Sequence, residues 1–122
     1  MSRVPVVLAA LIVVAILVPA QAQAFKPDIV YVRATEEGQG IRFTAKVRMD
    51  KGGRDERRVS VTYDGERKRA KPLDDPPVSM YETGPFAAPI RNCYRVKVVA
   101  RNQYGTTIKT MRASLIGTNG CG

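Results

Sequence analysis

From Gly40 to Met49 apolar and polar residues alternate without a break. Ile41, Phe43, Ala45, Val47 and Met49 fall on one side, and Arg42, Thr44, Lys46 and Arg48 on the other. Successive side chains of extended backbone point to opposite faces, so this period of two predicts a strand with one face buried. Asp28 to Ala34 sets Ile29, Tyr31 and Arg33 against Val30, Val32 and Ala34, while Val59, Val61 and Tyr63 alternate with Ser60 and Thr62. Both read as further strands, rich in the β-branched and aromatic residues that suit a half-buried pleat. Asp50-Lys51-Gly52-Gly53 and Asp64-Gly65 supply the positive-φ positions of tight turns, and Asp64-Gly65 is the sharper hairpin signal. From Lys71 to Pro89 the prolines at 72, 76, 77, 85 and 89 lack the N–H that a ladder needs, so this stretch is expected to be mostly loop. Within it, Val78 to Glu82 has room for one short edge strand.

The N-terminus reads as an address. Arg3 precedes an uninterrupted apolar run from Val6 to Val18, Pro19 breaks it, and Ala20-Gln21-Ala22-Gln23-Ala24 follows. A short apolar core leading to an Ala-x-Ala exit is the pattern of a cleaved signal peptide, residues 1–24, with cleavage after Ala24. The run rises only about 20 Å as helix, short of the ~30 Å hydrocarbon core, so no stable membrane insertion is expected after cleavage. The expected localisation is periplasmic or secreted. Residues 25–122 then form a single domain with 19 basic residues, once Arg3 is removed, against 11 acidic ones.

Composition excludes chemistries before any site is sought. The chain has no His, which removes Ser-His-Asp and Cys-His catalysis and most zinc sites. Met49, Met80 and Met111 lie on separate segments without the short spacing of a copper site, and core packing is the expected role. Asp74-Asp75 and Glu36-Glu37 are adjacent carboxylates whose side chains diverge in extended chain, so neither makes an acid/base pair or a calcium site. The chain is not expected to be an enzyme, and no catalytic residue, metal or cofactor is expected.

The two cysteines, Cys93 and Cys121, allow one intramolecular pairing, which an oxidising compartment would keep closed. A loop of this size is worth roughly 3–4 kcal/mol on chain-entropy grounds. If Tyr94 to Arg101 and Thr107 to Leu115 pair across a turn near Gln103 and Tyr104, Cys93 lies opposite about Ser114. The tail Ile116-Gly117-Thr118-Asn119-Gly120 must then fold back to bring Cys121 to it.

Tyr94-Arg95-Val96-Lys97-Val98-Val99-Ala100-Arg101-Asn102-Gln103-Tyr104-Gly105 resembles the F strand and F–G turn of fibronectin type III domains, Tyr-x-Val-x-Val-x-Ala-x-Asn-x-x-Gly. The resemblance covers about a dozen residues directly. It implies an all-β, immunoglobulin-like sandwich of about seven strands, with other immunoglobulin-like families as the alternative. The Val59 to Tyr63 strand lacks the Trp usual in the family, and Tyr63 is the candidate for its place. The family is a binding scaffold with no catalytic residues to carry over, so the resemblance implies interaction and nothing narrower.

Basic residues are unevenly spread, and Thr83 to Gly122 holds six of them with no acid. Arg95, Lys97 and Arg101 share one side of their strand, and Arg67 and Arg69 on a neighbouring hairpin strand would align with them as an anion-binding surface. The competing explanation is a solubilising face, since Arg42, Lys46 and Arg48 repeat the pattern on another strand. The expected function is a noncatalytic exported module engaging another envelope or secreted protein. The alternative is an electrostatic binder of anionic envelope polymers such as lipopolysaccharide or acidic polysaccharide. A lesser one is an inhibitor of an exported hydrolase acting through Leu73 to Pro89. Nucleic acid is not an expected partner, because few aromatics interleave with the basic residues and export removes it.

Overall fold

The computed structural model describes residues 25–49, 57–73 and 78–122, with the backbone alone at Val78. The signal peptide, the Asp50-Lys51-Gly52-Gly53 turn and the Asp74-Asp75 pair lie outside these residues. The described chain consists of strands and turns: β1 (Asp28–Glu37), β2 (Gly40–Arg48), β3 (Arg58–Tyr63), β4 (Glu66–Pro72), β5 (Val78–Glu82), β6 (Phe86–Ala87), β7 (Cys93–Asn102) and β8 (Gly105–Leu115). The protein is all-β.

Alternation does the local work. In β2 and β7 every second residue is buried, and the inward residues Ile41, Phe43, Ala45 and Val47 meet Tyr94, Val96, Val98 and Ala100 in one core. Asp64 and Gly65 have φ of 51° and 79°, the paired positive values of a type I′ turn, whose twist matches the strands it joins and sets the β3–β4 register. In β1 the register shifts between Ile29 and Tyr31. The extra residue, Val30, faces outward, so Ile29 stays buried on one side of the bulge while Val32 and Ala34 are buried on the other. That is why this segment shows two half-apolar faces in the sequence rather than one.

Hydrogen-bonded ladders run β1-β8-β7-β3-β4-β5-β2, and β2 pairs back to β1. Seven strands thus close into a ring, where two sheets with free edges are expected of a simple sandwich. Two short ladders do the closing. One is parallel, Arg33 and Ala34 of β1 against Ser114 and Leu115 of β8. The other joins Lys71 and Pro72 of β4 to Glu82 and Tyr81 of β5. Over these two residue pairs each, closure satisfies backbone groups that open edges would present to other chains. β5 corrects the expectation of an edge strand in a loop, because it pairs with β2 on one side and β4 on the other. Its burial outweighs the proline content of the surrounding segment: Tyr81 is buried and Ser79 sits opposite Val47. β6 adds two residues beside Gly40 and Ile41. Gly40 is required there, since a Cβ would stand 2.9 Å from the Pro85 Cβ and 3.0 Å from the Phe86 carbonyl oxygen.

One end of the core is aromatic. Phe43 lies with its ring centroid 5.3 Å from Phe86 and 5.7 Å from both Tyr63 and Tyr94, and Tyr63 contacts Tyr94 at 5.5 Å. Tilted and edge-on contacts of this kind add roughly 0.5–1.5 kcal/mol per pair beyond area burial. Tyr63 therefore fills an aromatic slot on β3. The Tyr94 hydroxyl reaches out of the core to donate to the Pro89 carbonyl at 2.7 Å and to accept from the Arg91 N–H at 2.8 Å, tying the chain that leads into β7. Met49 is fully buried, and its sulfur accepts from the Tyr81 hydroxyl.

Candidate functional site

The β3–β7 register sets Arg58, Ser60 and Thr62 opposite Arg101, Val99 and Lys97. The β3–β4 register sets Ser60 and Thr62 opposite Arg69 and Arg67. Side chains at paired positions share a face, so Arg67, Arg69, Lys97 and Arg101 stand together on the outer face of β4-β3-β7. Arg95 lies on the same face toward the start of β7, opposite Arg112 of β8. All five basic positions read from the sequence are thus brought onto one surface. Arg58, Lys71 and Arg112 join them there.

These three were not singled out in the sequence, although two simple counts reach them. Arg58 and Lys71 have the same parity as Ser60 and Arg69 on their own strands. Arg112 follows from counting outward from the Gln103-Tyr104 turn, the count that sets Cys93 opposite Ser114.

The outward positions of β3, β4, β7 and β8 carry no acid. Glu66 lies on the other side of β4, where it pairs with Lys68 at 3.3 Å. Among the described residues none of the eight basic side chains of this face enters an ion pair. Two of the cross-strand pairs, Arg58 with Arg101 and Arg95 with Arg112, put like charges directly opposite. Each such pair costs on the order of 0.2–1 kcal/mol. Neighbouring strands are ~5 Å apart, inside the ~8 Å Debye length at physiological ionic strength, so salt does not remove the repulsion.

The face built on β1, β2 and β5 provides the contrast. It too bears basic residues, but they are compensated. The Arg42 guanidinium pairs with Glu37 and donates to Glu82 at 2.6 Å. Its pKa is raised, first by the Glu82 hydrogen bond and also by the charges of Glu37 and Glu82, against a partial desolvation. Lys46 and Arg33 stand over the Tyr31 ring at 5.6 and 4.4 Å, and Arg48 over Phe25 at 5.8 Å. A purely solubilising role explains this mixed face well. It does not explain a face where the charges are all of one sign.

Within the basic face lies a depression of about 540 Å³, lined by Arg58, Arg67, Arg69 and Arg101 around Ser60, with Val59, Val99 and Thr106 completing it. Ser60, Thr62, Thr106 and Thr110 alternate with the charges across the strands. Ile108, opposite Val99, is 59% exposed and, among the described residues, is the only large apolar side chain exposed on this face. The arrangement presents positive charge and hydrogen-bond donors on one surface. Among the described residues no three acidic or cysteine side chains gather as a metal-binding group.

Cys93 and Cys121 form a disulfide with a Cα–Cα distance of 4.7 Å. Cys93 pairs with Ser114 in the β7–β8 ladder, and the Ser114 hydroxyl accepts from the Cys121 N–H at 3.1 Å. The tail folds back through Gly117 and Gly120, both at positive φ.

The fold and this surface define an all-β domain, a closed ring of strands with one uniformly basic face. No protein-family model matches the chain, and no curated protein matches it either. Among solved structures, titin M4 in its trigonal form is similar over 80% of this chain and 100% of its own, with 17% identity and a TM-score of 0.42. That likeness adds nothing to what the ladders show by themselves.

Proposed function

We propose that this chain is an exported, noncatalytic immunoglobulin-like module that binds an anionic envelope polymer through the outer face of β4-β3-β7-β8. The observation that carries the reading is the all-basic outer face with two like-charge cross-strand pairs. Stability alone would select against those pairs, whereas a polyanion laid over them converts repulsion into attraction. The immunoglobulin-like assignment is supported by the Tyr94 hydroxyl bonded to backbone at residues 89 and 91, the corner that such sandwiches form at the start of their F strand. It is supported also by the fibronectin-like pattern of β7, whose Asn102 side chain holds the turn by accepting from the Tyr104 N–H at 2.8 Å.

A partner protein is the second reading. The two closing ladders are each two residue pairs long, so Glu66 to Ala70 of β4 and Gly105 to Ala113 of β8 are laddered on one side only, and such a partner would meet the module either through side chains or by adding a strand there.

The test is retention on an immobilised acidic polysaccharide. The protein should bind at low salt and elute as salt rises, and Arg69→Glu with Arg101→Glu should elute markedly earlier, while Lys46→Glu on the compensated face should elute nearly as the parent does. Retention that ignores salt, or that responds equally to all three substitutions, defeats the proposal.

A further inference from the structure

The depression within the basic face has a composition of its own. Arg58 of β3 and Arg101 of β7 are direct cross-strand partners at one end. On the other side Arg69 of β4 stands opposite Ser60 and Arg67 opposite the neighbouring Thr62, so four arginines and one serine line a depression of about 540 Å³. None of the four is ion-paired among the described residues. Each guanidinium is a planar fork of N–H donors with no acceptor, so the site offers donors in excess and requires oxygens in return.

The count of charges and oxygens selects the ligand. A carboxylate brings one charge and two oxygens, which two forks satisfy. A phosphate monoester carries about −1.5 to −2 at neutral pH on three acceptor oxygens, enough to engage three or four forks at once. We propose that this depression is a subsite for a phosphate monoester carried on a saccharide chain. The inference rests on the polyanion reading above and deepens it, because it assigns the face one point of specific recognition rather than a diffuse field.

Its surroundings fit the saccharide. Ser60 and Thr106 stand at the depression, and Thr62 and Thr110 continue along the face toward Arg95, all able to exchange hydrogen bonds with sugar hydroxyls. Val99 forms a small apolar patch for a sugar ring. A lipid surface fits less well, since among the described residues Ile108 alone stands out of this face as a large apolar side chain and an interfacial domain needs an apolar belt to bury.

Backbone-amide NMR titration of the purified protein with glucose 6-phosphate tests the inference, with glucuronate, inorganic phosphate and phosphatidylglycerol vesicles as parallel probes. Saturable shifts centred on Ser60, Arg69 and Arg101 are expected, with glucose 6-phosphate binding about tenfold or more tightly than glucuronate. Arg69→Gln should weaken glucose 6-phosphate about tenfold, and Arg69→Lys, which keeps the charge but loses the fork, should weaken it severalfold. The spectrum of each variant shows whether it is folded, and Arg67→Lys repeats the test should Arg69→Lys not fold.

Inorganic phosphate binding as tightly as the sugar phosphate overturns the saccharide part. Equal affinity for glucuronate, shifts spread evenly to Arg95 and Arg112, an Arg69→Lys variant indistinguishable from the parent, or binding of vesicles alone overturns the subsite as a whole. If salt-dependent retention on polysaccharide persists while glucose 6-phosphate fails to bind, the subsite is lost and the polyanion reading stands. If both fail, both are lost.

Discussion

Arg58 and Arg101 are direct partners across the β3–β7 ladder, with no carboxylate paired to either side chain among the described residues. Adjacent strands bring their Cα atoms to ~5 Å, and the chain reaches this juxtaposition from positions 43 residues apart in sequence. On the proposed polyanion reading, a cost of this kind, held in place by the register of two core strands, would tie stability and binding together in opposite directions.

Arg101→Thr should therefore stabilise the domain slightly, by about 0.5 kcal/mol, as the repulsion with Arg58 is relieved and a β-branched residue enters the strand. The same variant should elute earlier from acidic polysaccharide. Urea denaturation and salt-gradient chromatography on one preparation check both, and a variant less stable than the parent would show that the pair is not a liability.

Tyr94→Phe keeps the ring in the aromatic cluster and removes only the hydroxyl. The Pro89 carbonyl loses its donor and the Arg91 N–H its acceptor. A loss of about 1–2 kcal/mol is expected, a Tm lower by roughly 4–15 °C for a domain of this size. An unchanged melting curve would mean that water replaces both bonds.

Phe43 is fully buried and touches Tyr63, Phe86 and Tyr94. Phe43→Ala should cost about 3–5 kcal/mol, enough to leave much of the population unfolded in a domain this small, whereas Phe43→Leu should cost less and remain folded. Circular dichroism melts of the two variants separate loss of volume from loss of aromatic contacts.

Reduction of Cys93–Cys121 should lower stability by about 2–4 kcal/mol while the β signal persists at low temperature. The local effect should fall on the tail: the Cys121 N–H, held by Ser114, and the Leu115 N–H, held by the Asn92 carbonyl at 2.9 Å, should exchange faster with deuterium. Two thiols that titrate in the native exported protein without denaturant would remove the clamp.

The first residue of the exported chain is expected to be Phe25. Its carbonyl accepts from the Asn102 side-chain amide at 2.9 Å, and the Pro27 carbonyl accepts from the Thr107 hydroxyl at 2.5 Å, so the chain is tied to the β7–β8 hairpin from that point onward. Mass spectrometry of the protein from culture reads the cleavage site directly. A chain that retains residues 1–24 would contradict both cleavage and the proposed export.

Local pattern alone determined the all-β class, the strand positions of β2, β3 and β7, the Asp64-Gly65 hairpin and the opposition of Cys93 to Ser114, because each depends on residues close in sequence: a period of two, a dipeptide that accepts positive φ, a count outward from a turn. The basic parity of Arg95, Lys97 and Arg101 was legible for the same reason. What only the tertiary structure decided are the relations between strands far apart in the chain. The bulge at Val30 is set by β2, which pairs with β1 on both sides of it. Val78 to Glu82 becomes an interior strand because β2 and β4 both reach it. Ring closure depends on a parallel contact between β1 and β8 that no local period encodes. The site follows the same division: parity and the turn count place Arg58 and Arg112 on a side of their own strands, but that β3 lies beside β7, and so brings Arg58 against Arg101, is selected by which faces the whole core must bury.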